Sequence, residues 1–213
     1  GWLADLKTAE LDATRDYRLR LSVWRTGELG YAPEPRAGVE WDVTATPIDG
    51  IGYPVPVLRP ELGLFQDHRK SAGILSNVKT SSAVLYVLAA GFAREQRVEE
   101  VLILNHENQV LEASKSNVML VQGEEIITPP LSAGALRGVM REVVLGLAPS
   151  LGLQVREEVF SPFALQSADE VWLTNAVHGV AAVRKFRKTE YSSNRAEAMQ
   201  KLVIERAHLA QFQ

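Results

Sequence analysis

The pattern of hydrophobic and polar positions divides the chain into a short first part and a longer second part. In the first part, polar and apolar residues alternate in Arg18–Trp24 and again in Val39–Thr46, which predicts two half-buried strands that pair with each other. They follow Leu3–Thr14, whose apolar residues have helical spacing. Pro47–Pro60 is rich in proline and glycine, so we predict a domain boundary near Pro54.

The second part alternates between helical patterns and short apolar strands. The long apolar run Ala83–Ala93 predicts a buried helix, for which Thr80 or Ser81 would supply the N-terminal cap. Val101–Asn105 shows almost no alternation, which is typical of a strand buried on both faces. The short strands that follow, as far as Ile126–Thr128, predict a meander.

The remaining segments complete a predicted α+β fold. Leu58–Val78 has the composition of a loop, and a helix is expected to begin at about Gly138 and to end at Pro149. Leu153–Phe160 predicts a strand, and Ser161-Pro162 is typical of a helix start. Asn194–Phe212 predicts a terminal amphipathic helix.

Composition narrows the function classes. The 213 residues carry a net charge of −3 and no basic stripe, which argues against a nucleic-acid partner. The sequence has no cysteine, which excludes disulfides and thiolate chemistry, and its four histidines lack the paired spacing of a metal site. The sequence contains no run of about 20 apolar residues, so no membrane-spanning helix is predicted. No signal peptide is evident, so we expect a cytoplasmic protein. Because the chain begins at Gly1 rather than Met, we also expect that a preceding segment is missing.

Three features suggest a common chemistry, and each has a plainer alternative. Lys79 precedes the apolar run, where its amine either forms an imine with a carbonyl cofactor or is simply solvated or salt-bridged. Glu112 lies in an otherwise apolar strand, where it either faces a buried cationic nitrogen or points to solvent. Gly138 either presents the N–H groups of Val139 and Met140 to a phosphate or is an ordinary glycine at a helix start. Together they are the three contacts that pyridoxal phosphate (PLP) requires.

Several motifs, in a fixed order, resemble a known family. They are Asn77-Val78-Lys79-Thr80, Val110-Leu111-Glu112-Ala113-Ser114-Lys115-Ser116-Asn117-Val118, Thr128-Pro129-Pro130-Leu131, Gly138-Val139-Met140-Arg141 and Asp169-Glu170-Val171-Trp172-Leu173-Thr174-Asn175-Ala176. On these residues the chain resembles the fold-type IV PLP enzymes, the class IV aminotransferase family.

The resemblance implies a fold and a set of site residues. Lys79 would bind the cofactor covalently and transfer the substrate proton, and Glu112 would keep the pyridine nitrogen protonated. The implied cofactor-binding residues also include Asn117, Leu136, Val139, Met140 and Asn175. The fold would be of the D-amino acid aminotransferase type, with the cofactor between two α+β domains, in a homodimer. Residues 1–54 would be the remainder of the small N-terminal domain, and residues 55–213 the larger PLP-binding domain.

The pair Asn175-Ala176 indicates the substrate class. Branched-chain and D-amino-acid transaminases of this type usually show Gly or Ser followed by Thr here, whereas Asn-Ala is similar to the 4-amino-4-deoxychorismate lyases. Such a lyase splits aminodeoxychorismate into 4-aminobenzoate and pyruvate for folate synthesis. The small-molecule amino substrate would contact Tyr31, Asn175, Ala176 and Val177.

Two departures from the family pattern leave other functions open. The lyases often place an arginine before the Gly-Tyr of the early loop, where this chain has Leu29. The family's Gly-Asp-Gly-x-Phe-Glu and His-Leu-x-x-Arg stretches have no match, so we expect the N-terminal domain to be incomplete. One alternative is an aminotransferase acting on branched-chain or D-amino acids. Another is a cofactor-free, non-catalytic fragment, against which the presence of Lys79 and Glu112 argues.

Overall fold

The computed structural model describes residues 11–12, 14–27, 32, 35, 37–48 and 52–209. The chain forms two compact units, Gly1–Gly52 and Tyr53–Gln213. Two sequence predictions, the helix over Leu3–Thr14 for most of its length and the substrate contact of Tyr31, lie outside the described residues.

The first unit contains a two-stranded antiparallel ribbon. Strand β1 (Tyr17–Arg25) pairs with β2 (Val39–Pro47), with Leu21 opposite Val43 at its centre. The structure confirms the two strands and their pairing, which the alternating pattern had predicted. The predicted half-burial is wrong, because most residues of both strands are exposed.

The second unit contains two five-stranded sheets and three α-helices among its described residues. The strands are β3 (Glu61–Leu64), β4 (Glu100–Leu104), β5 (Val110–Ala113), β6 (Asn117–Gln122), β7 (Glu125–Thr128), β8 (Gln154–Glu157), β9 (Glu170–Asn175), β10 (Gly179–Ala182), β11 (Lys185–Phe186) and β12 (Thr189–Glu190). The helices are α1 (Val84–Gln96), α2 (Val139–Leu147) and α3 (Asn194–Leu209), and short 3-10 helices span Leu131–Ala133, Ala148–Leu151 and Pro162–Ser167. The strand orders are β12-β11-β3-β4-β5 in the first sheet and β10-β9-β6-β7-β8 in the second.

The second unit is layered, with the two sheets packed face to face between helices. The central hydrophobic cluster joins Leu102 of the first sheet to Leu120 and Leu173 of the second. The outer face of the first sheet packs against α1, and the outer face of the second packs against α2 and α3. This arrangement confirms the predicted α+β fold. Among the described residues, no helix has the length and apolar character needed to span a membrane.

A buried carboxylate fixes the start of α3. Glu170, at the start of β9, is 2% exposed and accepts hydrogen bonds from the backbone N–H groups of Arg195 (2.9 Å) and Ala196 (3.0 Å). Ser192 Oγ and Trp172 Nε1 also donate to Glu170, at 3.0 and 2.8 Å. A negative charge at a helix N-terminus satisfies free N–H groups and interacts favourably with the helix dipole.

The predicted meander is wrong, because the chain changes sheets within it. Strands β4 and β5 pair in the first sheet, whereas β6 and β7 pair in the second. The turn between β5 and β6 is closed by a 2.7 Å hydrogen bond from Ala113 N to Ser116 O. The prediction of a loop over Leu58–Val78 is also wrong in part, because β3 lies inside the first sheet between β11 and β4.

The helix α1 forms where it was predicted but is only half-buried. Ala89 and Ala93 face the first sheet, whereas Val84, Val87 and Leu88 are exposed. The expected caps are wrong as well, because the N-cap residue is Ala83, and no side chain of a described residue caps it.

Two further predicted elements, one strand and one helix, differ from the structure in length or in type. The predicted strand Leu153–Phe160 shortens to β8 (Gln154–Glu157), and its last predicted residue instead contacts the first sheet, where Phe160 O accepts a 2.8 Å hydrogen bond from Val110 N. The predicted helix at Ser161-Pro162 is a 3-10 helix, whose buried Pro162 and Leu165 match a period of three residues.

Candidate active site

A β-bulge determines where Glu112 points. Ile103 pairs with Glu112 but Leu104 pairs with Val110, so Leu111 is an extra residue on β5. Val110 therefore faces the core between the sheets, and Glu112 faces the side of α1. Glu112 is 2% exposed, which rejects the solvent-facing alternative.

Three described donors hold the buried carboxylate. Lys70 Nζ and Tyr86 Oη donate to Oε1 at 2.7 and 2.6 Å, and the backbone N–H of Leu136 donates to Oε2 at 2.7 Å. Burial, the charge of Glu112 and this hydrogen bond together raise the pKa of Tyr86, so its phenol remains a neutral donor. Glu112 is thus a fixed anion, and among the described residues its Oε2 accepts from a single donor.

Leu136 connects this anion to the start of α2. Its carbonyl accepts hydrogen bonds from Asn117 Nδ2 (2.8 Å) and Gly138 N (2.9 Å). A Cβ atom at Gly138 would lie 2.1 Å from Asn117 Oδ1, so only glycine allows this close approach. Three predicted residues, Glu112, Leu136 and Asn117, are therefore joined directly by hydrogen bonds.

The N-terminus of α2 is open. Gly138 is the N-cap, as predicted, with an extended backbone, and no side chain of a described residue caps the helix. The N–H groups of Val139 and Met140 have no acceptor within the helix, because the first turn of any α-helix lacks them. The side chain of Val139 is exposed, whereas that of Met140 packs in the core with Val144. The backbone here is therefore suited to bind an anion.

A buried hydroxyl lies beside this helix start. Thr174 is opposite Asn117 in the β6–β9 register, on the face of the sheet that packs against α2. Thr174 is 1% exposed, and its Oγ1 has no hydrogen-bond partner among the described residues. Buried polar atoms are rarely left unpaired, so this hydroxyl points to a ligand.

Lys79 lies on the surface beside the same loop. The ion pairs among the described residues do not include its amine. Its segment is attached through Asn77, whose Nδ2 donates to Ala135 O at 2.6 Å and to Leu131 O at 2.8 Å. The backbone N–H of Arg137 donates to Asn77 O at 3.1 Å, which fixes the segment on the loop that precedes α2.

Asn175 organises the turn after β9. Its Oδ1 accepts 2.9 Å hydrogen bonds from the backbone N–H groups of Val177 and His178, and its Nδ2 donates to Ser116 Oγ at 3.1 Å. Ser116 Oγ in turn donates to the buried Glu100 at 2.8 Å. Ala176 is exposed at the tip of the turn. The predicted substrate residues of this turn are thus held by side chains of the same unit.

Sequence reasoning missed three residues of this site. Lys70 belongs to a polar run that looks like a solvated loop, and Thr174 looks like an ordinary strand residue. Tyr86 offered a weak signal, since it is the one hydroxyl-bearing residue in the predicted helix Ala83–Ala93. Their roles depend on contacts with residues that are distant in sequence.

Comparisons with known proteins identify the family. The model of the amino-transferase class IV family matches residues 4–186, most of the chain. This chain belongs to the class IV aminotransferases. Members of this family are PLP-dependent enzymes, and the resemblance found in the motifs is confirmed.

Individual class IV aminotransferase relatives differ in activity. The chain is 31% identical to an aminodeoxychorismate lyase of Vibrio harveyi over 162 residues, 74% of this chain and 58% of the relative. It is 41% identical to a probable branched-chain-amino-acid aminotransferase of Thermotoga maritima over 101 residues, 46% of this chain and 37% of the relative. The chain thus spans less than two thirds of either protein.

A solved structure has the same fold. An aminotransferase from Brucella abortus bound to PLP superposes with a TM-score of 0.81 over 97% of this chain and 74% of that chain, at 20% identity. This match confirms the fold expected for a class IV aminotransferase.

Proposed function

We propose that this class IV aminotransferase homologue binds PLP and acts as a 4-amino-4-deoxychorismate lyase. The observation that carries the proposal is the link through Leu136, whose N–H binds the buried Glu112 and whose carbonyl binds Asn117 and Gly138. This link places a carboxylate and an anion-binding helix start at the two ends of one short segment. PLP carries a basic ring nitrogen and a phosphate, so the residues present fit this cofactor.

Each end of the segment has a defined role toward the cofactor. Glu112 would accept a hydrogen bond from the protonated ring nitrogen, and the N–H groups of Val139 and Met140 would hold the phosphate. The unpaired hydroxyl of Thr174 is a further donor on that side. When bound, PLP stabilises negative charge at the substrate carbon that bears the amino group.

Lys79, rather than Lys70, is suited to react with the cofactor. The aldehyde of PLP lies across the ring from the nitrogen, so the reacting amine must be distant from Glu112. Lys70 Nζ lies 2.7 Å from Glu112 and is committed to that ion pair, whereas the amine of Lys79 is exposed. Lys79 would also take the proton from the substrate carbon and return it to the leaving product, as general base and acid.

The residue pair Asn175-Ala176, which is similar to that of the lyases, supports the lyase assignment. Asn175 Oδ1 accepts from the backbone N–H groups within the turn, and its Nδ2 attaches the turn to Ser116, so Ala176 and Val177 are held in place. The longer match to the Vibrio harveyi lyase supports the same assignment. The second candidate, a branched-chain or D-amino-acid aminotransferase, is supported by the Thermotoga maritima relative.

We also propose that the enzyme is a homodimer. Val84, Val87 and Leu88 form an exposed apolar stripe on α1, which supports contact with a second copy of the chain. The molar mass of the purified full-length protein by light scattering would test this assignment, since a monomer at high concentration would contradict it.

The test of the lyase is turnover of aminodeoxychorismate by the purified full-length protein with PLP but without a keto acid, following 4-aminobenzoate. A lyase forms 4-aminobenzoate under these conditions, because no amino acceptor is needed. A protein that forms no 4-aminobenzoate, but transfers the amino group of a branched-chain or D-amino acid to 2-oxoglutarate, is an aminotransferase. The absence of any visible absorbance after addition of PLP and removal of the unbound cofactor would show a cofactor-free protein instead.

A further inference from the structure

Lys70 is a buried lysine for which the proposed chemistry has no use. Its residue is 8% exposed, and its Nζ donates to Glu112 Oε1 at 2.7 Å and to Ser76 O at 3.0 Å. The ammonium also lies 5.7 Å from the centre of the Tyr86 ring, within the range of a cation–π contact. A lysine with an anion, a carbonyl and an aromatic face around it is held in place.

The donors divide the carboxylate of Glu112 into two sides. Oε1 accepts from both Lys70 and Tyr86, which uses the two acceptor positions of a carboxylate oxygen. Oε2 accepts only from Leu136 N among the described residues, and Leu136 leads to the start of α2. The acceptor position that is left for a cofactor ring nitrogen is therefore on Oε2.

We propose that Lys70 is a fixed counter-ion of Glu112, which remains on Oε1 when PLP is bound and weakens the hold of the carboxylate on the ring-nitrogen proton. This inference rests on the proposed binding of PLP. The carboxylate of Glu112 then interacts with two cations, the Lys70 ammonium and the protonated ring nitrogen. The ring nitrogen is therefore stabilised less than it would be by a carboxylate without Lys70. Lys70 acts through Glu112 and is a positioning residue rather than a catalytic one.

The Lys70–Glu112 ion pair also stabilises the cofactor-free protein. A buried carboxylate without a cation is costly, and a site built only around the cofactor would leave Glu112 in that state. Lys70 compensates the charge of Glu112 at all times, so the pocket is preorganised for the cofactor. The alternative is that Lys70 only occupies the site of the absent cofactor, as a placeholder, and leaves Glu112 when PLP binds. The two alternatives differ in whether Lys70 still contacts Glu112 in the PLP-bound protein.

The experiment compares Lys70→Met with the charge-retaining variant Lys70→Arg. Each full-length protein is loaded with PLP labelled with ¹⁵N in the ring, and the chemical shift of that nitrogen is followed against pH. Removal of the positive charge is expected to raise the midpoint of the ring-nitrogen titration by about one unit or more, whereas the arginine variant stays near the wild type. An unchanged midpoint in Lys70→Met would overturn the proposal.

A second measurement needs no variant. Lysine acetylation of the wild-type protein, followed by mass spectrometry, is expected to spare Lys70 both with and without PLP, while the exposed Lys188 reacts in both states. Reaction of Lys70 only in the loaded protein would show a displaced placeholder and overturn the inference. A protein that takes up no PLP at all would overturn the proposed function, a result distinct from an unchanged ring-nitrogen midpoint.

Discussion

Asn117 and Gly138 approach so closely that a Cβ atom at residue 138 would lie 2.1 Å from Asn117 Oδ1. Asn117 cannot move aside freely, because its Nδ2 donates to Leu136 O at 2.8 Å. The contact therefore fixes the open start of α2 against the loop that holds Glu112.

Gly138→Ala is expected to weaken PLP binding by about tenfold or more, which corresponds to ~1.4 kcal/mol. The added methyl group must displace Asn117 or the first turn of α2, and such overpacking also costs about 1–3 kcal/mol of unfolding free energy. The measurements are the dissociation constant of PLP and urea unfolding. Gly146→Ala is the matched control, because this glycine of α2 has no neighbour within 4 Å of the added Cβ. Equal PLP affinities in the two variants would contradict the assigned phosphate site.

Lys79→Ala is expected to lower turnover by at least about 100-fold, because the amine carries the proton transfer. Its stability should change by less than about 0.5 kcal/mol, since the side chain is exposed. Turnover and a thermal melt together separate these effects. Lys188→Ala, another exposed lysine, should retain full activity. An active Lys79→Ala variant would reject the role of Lys79.

Glu112→Ala is expected to weaken turnover and to destabilise the cofactor-free protein by about 3–5 kcal/mol, because it leaves Lys70 buried without its partner. The double variant Glu112→Ala/Lys70→Met should be more stable than Glu112→Ala alone, since it contains no uncompensated charge. Urea unfolding without PLP measures both. If the losses of the two single variants simply add in the double variant, the ion pair does not couple the two residues.

Glu100 predicts a pH dependence of stability. Burial raises the pKa of this carboxyl above its ordinary value of 4.5, and hydrogen bonds from Ser116 and Lys115 oppose the effect. Above pH 4.5 the folded protein therefore holds this proton longer than the unfolded chain. The contribution of Glu100 to stability is complete below that pH and is lost as the pH rises through the raised value.

The variant Glu100→Gln should lose the pH-dependent contribution of Glu100 to stability. Its unfolding free energy should therefore fall less steeply with rising pH than that of the wild type. Urea unfolding at a series of pH values from 4.5 upwards measures the slope. Glu107→Gln changes an exposed carboxylate and should keep the wild-type slope. A steeper fall in Glu100→Gln would contradict the sign of the effect.

Glu170→Ala is expected to destabilise the protein by at least about 2 kcal/mol, because hydrogen bonds to a charged group contribute about 1.5–3 kcal/mol each. The lost contacts are those that hold the first N–H groups of α3 and the indole of Trp172. Chemical unfolding measures the loss of unfolding free energy. The control is Glu205→Ala, which removes an exposed carboxylate from α3 itself. Similar stabilities of the two variants would show that the cap is not needed.

Local sequence patterns predicted the elements that depend on neighbouring residues. The alternation in β1 and β2 predicted their pairing, and the apolar run of β4 predicted burial on both faces. Gly138 predicted the start of α2, since helix starts follow local chemistry. The family resemblance implied Glu112, Leu136 and Asn117 as cofactor-binding residues, and the structure joins these three by hydrogen bonds.

The tertiary structure decided which face each residue occupies and which residues meet. Strict alternation along β5 would place Val110 and Glu112 on one face, but the bulge at Leu111 turns Glu112 toward α1. Lys70 reaches Glu112 across 42 positions of sequence, a contact that no local pattern records. Strand pairing and buried ion pairs depend on long-range packing, because their free energy is gained only when distant segments are brought together. The sequence thus determined the elements and the candidate chemistry, and the packing of the two sheets determined the surroundings of Glu112.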